Sequence, residues 1–466
     1  MRHRARIASF CKIVVLVGGL TLSISACGEK KEKSEVSVSE AETAISTGTE
    51  IDSTLSQAVS IGNNDVAAAN IDASTLVRNP QARTCETVSR QSSSESALTS
   101  STDFSQPLAN EKLGIVNYLS VPYPDSWIFM HDANFHSMID GRFVVFDTAA
   151  EAGGMKGSFH GGRLGGFDVS QKRKEAYVAT TYHDRGIRGE RRDVLSIYDL
   201  CTFEQKAELK LPPKLISATP LKNKFRMSND ERFGFAYNFT PAASVAIIDL
   251  EIFSVVNEVS TPGCSLVYPM GDHSFASVCG DGSIAGYELD QNGQLIRESR
   301  TEKVIDFDQE PMFMKPARLG HTLSFPTFYG QMHRFDLSGD TPVYLGMSRL
   351  INDEEASSNW RPGGWQLITS NKKRNEIYVL MHQDGAEGTH KNPGTDVWVY
   401  DANTIEKKRV ITLQVPSISI VATGDTLVAT NVEMNLDVYN LNDGSFERMI
   451  GGAALTPLIA YDSAGN

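Results

Sequence analysis

An imidazole beside carboxylates can move protons near neutral pH. His183-Asp184 with Glu190 is where such residues crowd together in this chain. Arg185, Arg188, Arg191 and Arg192 share the stretch, which favours a solvated, ion-paired loop over an acid/base pair. His131, His136 and His160 lack the tight spacing of a ligand set, and no CxxC or Cys/His pattern appears, so the metal expectation is none. The run Gly161-Gly162-Arg163-Leu164-Gly165-Gly166 is not a GxGxxG fingerprint and has no obvious helix after it, so it reads as a turn between strands. Serines abound without a GxSxG elbow. The chain offers no catalytic set of its own.

Two kinds of residue remain with something to do. Cys264 and Cys279 flank LVYPMGDHSFASV, which can fold back as a hairpin, so their pairing as a disulfide is expected. Cys85 and Cys201 are left as a weaker possible pair, because Cys85 lies in a polar leader. Trp360 and Trp365 flank Arg361-Pro362-Gly363-Gly364. Aromatic anchors on a rigid turn suit a protein interface, and core packing explains them equally well.

The elements that must position these groups repeat. Seven apolar strands end in a large apolar residue followed by an acid or amide: Phe146-Asp147, Tyr198-Asp199, Ile248-Asp249, Tyr287-Glu288, Phe335-Asp336, Tyr400-Asp401 and Tyr439-Asn440. Their spacings of 52, 50, 39, 48, 65 and 39 residues, made of strands and turns, predict an all-β, seven-bladed β-propeller over 111–466. Within each repeat a strand pair precedes the marker, as in FGFAYN then SVAIIDL. Two of the turns between paired strands are long and polar, 183–192 and 382–394, as expected of interaction loops on one face. Closure is expected from the first strand candidate, 114–121, completing the last blade beside the C-terminal region.

Ahead of the propeller the texture differs. Arg2, Arg4, Arg6 and Lys12 precede the apolar run 13–24, and Ile24-Ser25-Ala26-Cys27 has the form of a bacterial lipoprotein cleavage box. Residues 1–26 are therefore read as a signal, Cys27 as the lipidated residue, and 27–110 as a disordered Ser/Glu-rich tether with a short helix near 65–77. Gly28 after the cysteine, rather than aspartate, slightly favours the outer membrane facing the periplasm. Removing 1–26 takes away four cations, moving the net charge from −13 to −17 (−13 − 4). That charge excludes a nucleic-acid partner.

Several stretches resemble the heavy, non-catalytic subunit of quinoprotein amine dehydrogenases, the methylamine and aromatic amine dehydrogenase family. They are TTYHDRGIRGERRDVLSIYD (180–199), GCSLVYPMGDHSFASVCGDGS (263–283), NDEEASSNWRPGGW (352–365) and HQDGAEGTHKNPGTDVWVYD (382–401). DGAEGTHK and FTPAAS (239–244) make the chain more similar to the aromatic-amine members. The resemblance covers about 112–460; the lipobox and tether depart from it.

What the resemblance implies is a seven-bladed propeller pairing with a small light subunit as a two-plus-two heterotetramer. The light subunit would carry the tryptophan tryptophylquinone cofactor and the catalytic residues. Primary amines, here aromatic or aralkyl, would become aldehyde and ammonia, with electrons passing to an azurin- or amicyanin-like copper protein. This chain would bind no cofactor. Counting back from the first marker in IFMHDANFHSMIDGRFVVFD (128–147) puts Phe135 at the family's substrate-channel phenylalanine, the alternative being a core strand residue. Trp360, Arg361 and Trp365 are the candidates for the light-subunit interface. Two other readings stand beside this one: a membrane-tethered propeller lipoprotein acting as a binding or assembly scaffold, and a hydrolase or lactonase propeller, which needs an axial metal or acid/base cluster that the sequence does not display.

Overall fold

The computed structural model describes residues 76–87, 118–136, 140–151 and 153–466. The signal, Cys27 and most of the expected tether lie outside these residues.

In the middle strands of each repeat, apolar residues run without alternation, as in FGFAYN (Phe233–Asn238), SVAIID (Ser244–Asp249) and EIYVLMH (Glu376–His382), and every residue of these strands is buried. A strand covered on both faces must be sandwiched between two sheets. The outer strands read differently: Leu295–Arg300 is almost wholly exposed and Val343–Arg349 alternates. Blades packed face to face around an axis, rims in water, produce this gradient.

The strand pairing gives seven antiparallel blades built on four strands each, blade 2 carrying a fifth at its rim. From the inside outwards, blade 3 is Phe225–Met227, Phe233–Asn238, Ser244–Asp249 and Ser254–Ser260. Blade 4 spans Cys264–Met270 to Leu295–Arg300, and blade 5 spans Ala317–Leu319 to Val343–Arg349. Two long strands each serve two blades. Met155–Ser170 is outermost in blade 1 through its first half and innermost in blade 2 through its second. Lys407–Thr423 does the same for blades 6 and 7. Successive strands reverse, so second-to-third-strand turns and blade-to-blade connections share one face, the insert face. The markers end the third strands and turn on the opposite face.

Each marker has a local physical cause. Its large apolar residue is buried, and the acid or amide side chain accepts the backbone N–H two residues on, closing an Asx turn. The distances are 3.1 Å (Asp147 to Ala149), 2.9 Å (Asp199 to Cys201), 2.8 Å (Asp249 to Glu251), 2.9 Å (Asp336 to Ser338), 2.9 Å (Asp401 to Asn403) and 2.8 Å (Asn440 to Asn442). Blade 4 departs: its turn acid is Asp290, accepting from Asn292 at 2.8 Å. Glu288 instead pairs with Arg297 at 2.8 Å on the neighbouring strand.

Closure runs opposite to the sequence expectation. The last strand, Pro457–Asp462, is the innermost strand of blade 1 and pairs with Trp127–Asp132. Blade 7 already has four strands of its own, ending in Phe446–Ile450, so no place is left there for an N-terminal strand. Residues 114–117 lie outside the described region, and 118–120 form no strand. Leu119 donates to the Cys201 carbonyl at 3.0 Å, on blade 2.

Part of the stretch expected to be tether is structured. Leu76–Arg78 is a strand, where a helix was expected, and pairs with Gln205–Leu211 at the rim of blade 2. Arg83 binds Glu204, and Cys85 is bonded to Cys201 (S–S 2.11 Å). Cys264 and Cys279 are also bonded, directly opposite each other in adjacent strands of blade 4.

Candidate functional site

The insert face gathers the residues singled out in the sequence, though not into one cluster. Phe135 follows the strand Trp127–Asp132, so it is not a core strand residue; its side chain is 44% exposed. Asp132 fixes this turn, accepting the N–H groups of Asn134 (3.1 Å), Leu455 (3.0 Å) and Thr456 (2.9 Å). The Phe135 N–H reaches the Thr456 hydroxyl at 3.2 Å. The loop is thereby tied to the segment that leads into the closing strand.

Trp360 and Trp365 diverge. Trp360 packs on Trp398 (centroids 5.1 Å apart) between blades 5 and 6, and the Arg361 guanidinium lies 5.3 Å from the Tyr329 ring. Trp365 turns to the axis. Its indole N–H donates to the Pro220 carbonyl at 3.2 Å, and Lys315 sits 4.3 Å from its ring. Lys315 also donates to the Trp365 carbonyl at 2.5 Å. The glycine pair explains the turn. Gly364 has φ of 116°, and a Cβ there would lie 2.7 Å from the Ile418 carbonyl oxygen; one on Gly363 would lie 2.4 Å from His382. The insert 382–394 folds over this turn, with the Gly364 N–H on the His390 carbonyl (3.2 Å) and Lys391 5.8 Å from the Trp365 ring.

The insert 183–192 extends the strand pair Glu175–Arg185 and Arg188–Asp199 as a hairpin. Asp184 accepts the Glu190 N–H at 2.9 Å and lies 3.7 Å from Arg185, while Glu190 lies 3.5 Å from Arg192. No hydrogen bond joins His183 to either acid among the described residues, so the loop is ion-paired as its arginines suggest. The other histidines stay apart. His160 contacts Asp140 at 3.0 Å on the surface. His131 is fully buried and stacked on Phe143 (4.7 Å), and burial pushes its pKa down to about 3, with Lys224 adding and Asp132 opposing. Among the described residues the one close group of three potential metal ligands is Cys85, Asp199 and Cys201, whose two sulfurs are bonded to each other.

Sequence reasoning missed a further property of this face. Phe135, Ile187, Phe239, Tyr329, Val432 and Leu455 are exposed large apolar residues on its connections, drawn from five of the seven blades. Only the strand alternation that puts these turns together could have revealed them. Exposed apolar residues also occur on outer strands, such as Val343, Leu345 and Met347, but those lie along a blade rim.

Comparison with known proteins agrees with this architecture. The methylamine dehydrogenase heavy chain (MADH) family matches residues 126–449. The methylamine dehydrogenase heavy chain of Methylobacillus flagellatus is 29% identical over 59% of this chain and 69% of its own length. That of Methylophilus methylotrophus is 27% identical over 60% and 68%, and that of Paracoccus versutus 26% over 65% and 71%. A solved structure from Lactobacillus plantarum overlays with a TM-score of 0.48 at 11% identity, covering 72% of this chain and 97% of that one, and carries no weight beside the strand pairing. With matching sequence running from the first blade to the last, the chain belongs to the methylamine dehydrogenase heavy chain family.

Proposed function

We propose that this chain is the large subunit of a periplasmic amine dehydrogenase and holds, on its insert face, a light subunit that performs the chemistry. The family membership carries the proposal. The exposed apolar residues of that face support the docking side, since aromatic and aliphatic anchors on a rigid scaffold make interfaces. The reaction is RCH2NH2 + H2O → RCHO + NH3 + 2 H+ + 2 e−. The tryptophan tryptophylquinone of the light subunit supplies the electron sink, and a small copper protein takes the electrons singly. The chain's own part is to seat the partner and, through Phe135, to wall the substrate channel. An aromatic wall favours aralkylamines by stacking. The rest of the proposed assembly is a two-plus-two heterotetramer anchored through lipidated Cys27, with Trp360, Arg361 and Trp365 serving the interface.

Purification of the chain together with its neighbouring operon products tests this. The expected result is a coloured complex whose quinone absorption bleaches on adding tyramine or phenylethylamine. A colourless lipoprotein purifying as a single subunit overturns the enzyme reading in favour of a binding scaffold.

A further inference from the structure

Below Trp365 the axis changes character. The upper chamber is mostly apolar, lined by Leu221, Met314, Pro316, Trp365 and Ile459, with Lys222 and Lys315. The chamber below it shares Lys222, Asn223, Pro316 and Ile368 and adds Arg226, Arg318, Thr369 and Ser370. Three cations thus face one narrow space of ≈ 40 Å³ at the scale of water centres, room for a small ion and not for an organic cofactor.

The three cations are not equally satisfied. Arg226 lies 3.4 Å from Asp168 and donates to the Gly465 carbonyl at 2.6 Å. Arg318 donates only to neutral oxygens, the carbonyls of Gly320 (3.0 Å) and Pro269 (3.2 Å) and the Asn229 amide (2.8 Å). Lys222 makes no hydrogen bond or ion pair among the described residues; its ammonium lies 4.7 Å from the Tyr461 ring. Burial pushes the Lys222 ammonium down to about 7, Asp462 opposing the shift and Arg226 adding to it. Arg318 is lowered to about 10, by burial first and then by Arg226, with Asp168 opposing. Lys222, Arg226 and Arg318 line the lower chamber together with Asn466, whereas the carboxylates that act on these cations, Asp168 and Asp462, do not line it. The chain as a whole is acidic, so the positive field is local and built.

We propose that this axial chamber binds a small tetrahedral oxyanion, phosphate or sulfate, between Lys222 and Arg318. An ammonium and a guanidinium suit such an anion, and the half-buried setting of both side chains shields the attraction in part from water. Lys222 precedes the inner strand of blade 3 and Arg318 lies on the inner strand of blade 5, so the anion braces two non-adjacent blades across the axis.

Thermal melts of the full purified chain, dialysed free of oxyanions, test the site. Potassium phosphate is titrated against potassium chloride of matched ionic strength. The expected result is a saturable rise of about 2 °C or more with phosphate alone. Lys222→Met should remove that rise without lowering the chloride melt, because Lys222 gives up no hydrogen bond. Equal rises in both proteins would mean general exclusion of phosphate from the surface and overturn the site, as would no rise in the wild type. Should the variant fold poorly, line broadening of the phosphate 31P resonance decides: broadening by wild type that Lys222→Gln abolishes supports the site, and broadening that persists overturns it.

Discussion

At the scale of single residues, Phe135 is held out into solvent by a turn that three hydrogen bonds to Asp132 fix. Such a side chain adds nothing to the core, so its replacement should be felt by a ligand and not by the fold. Phe135→Ala is expected to change relative kcat/KM between phenylethylamine and methylamine by about tenfold with assembly intact; identical kinetics with every amine would remove it from the channel. Glu376 shows the opposite kind of residue. Burial would raise its pKa, but Arg409 (2.8 and 3.0 Å), Lys408 (2.8 Å) and Tyr378 (2.5 Å) outweigh burial and hold it at about 2. A depressed carboxylate stabilises above its unfolded pKa of about 4.3, and the contribution is lost as pH falls toward 2. Glu376→Gln should cost about 3 kcal/mol near pH 7 and flatten the stability profile between about pH 5 and 2 in urea melts. His131, kept neutral by burial, loses its contribution as pH falls from its unfolded value of about 6.5 toward 3. His131→Leu should flatten that higher window, and an unaltered profile would contradict the buried neutral ring.

At the scale of elements, the blade markers were legible because their cause is local: a buried apolar residue followed by a side chain that closes a turn two residues on. Asp336→Ala should therefore cost about 1 kcal/mol, while Asp336→Asn, which keeps the acceptor for the Ser338 N–H, should cost little. Equal losses in chemical denaturation would show that the turn does not depend on the acceptor. The slip in blade 4 has the same logic, since Asp290 has the short side chain that an Asx turn requires and Glu288 does not. The divergence of Trp360 and Trp365 was not legible. It is set by the positive φ of Gly364 and by contacts from the 382–394 insert, neither of which residue type announces.

For the whole molecule, what escaped sequence reasoning is pairing across long separations. Pro457–Asp462 reads PLIAYD, with the apolar-then-acid ending of the markers, yet it lies innermost beside a strand more than 300 residues earlier. Nothing in its composition says which edge it will meet. The Cys85–Cys201 bond was likewise open, because a disulfide depends on Cα separation, here 5.2 Å, and not on spacing in the chain. The double variant Cys85→Ser/Cys201→Ser should lower stability by about 2–4 kcal/mol and expose residues 76–87 to proteases; unchanged melts and digestion patterns would show that the bond does not constrain the fold. The closing strand also bears on time. Until Pro457–Asp462 has been synthesised, Trp127–Asp132 presents a bare strand edge, and every blade already made waits in an open arc. Without Pro457–Asp462 that edge stays bare, and the Phe135 loop loses the anchorage of Leu455 and Thr456, so one six-residue strand both seals the ring and holds the exposed aromatic in place.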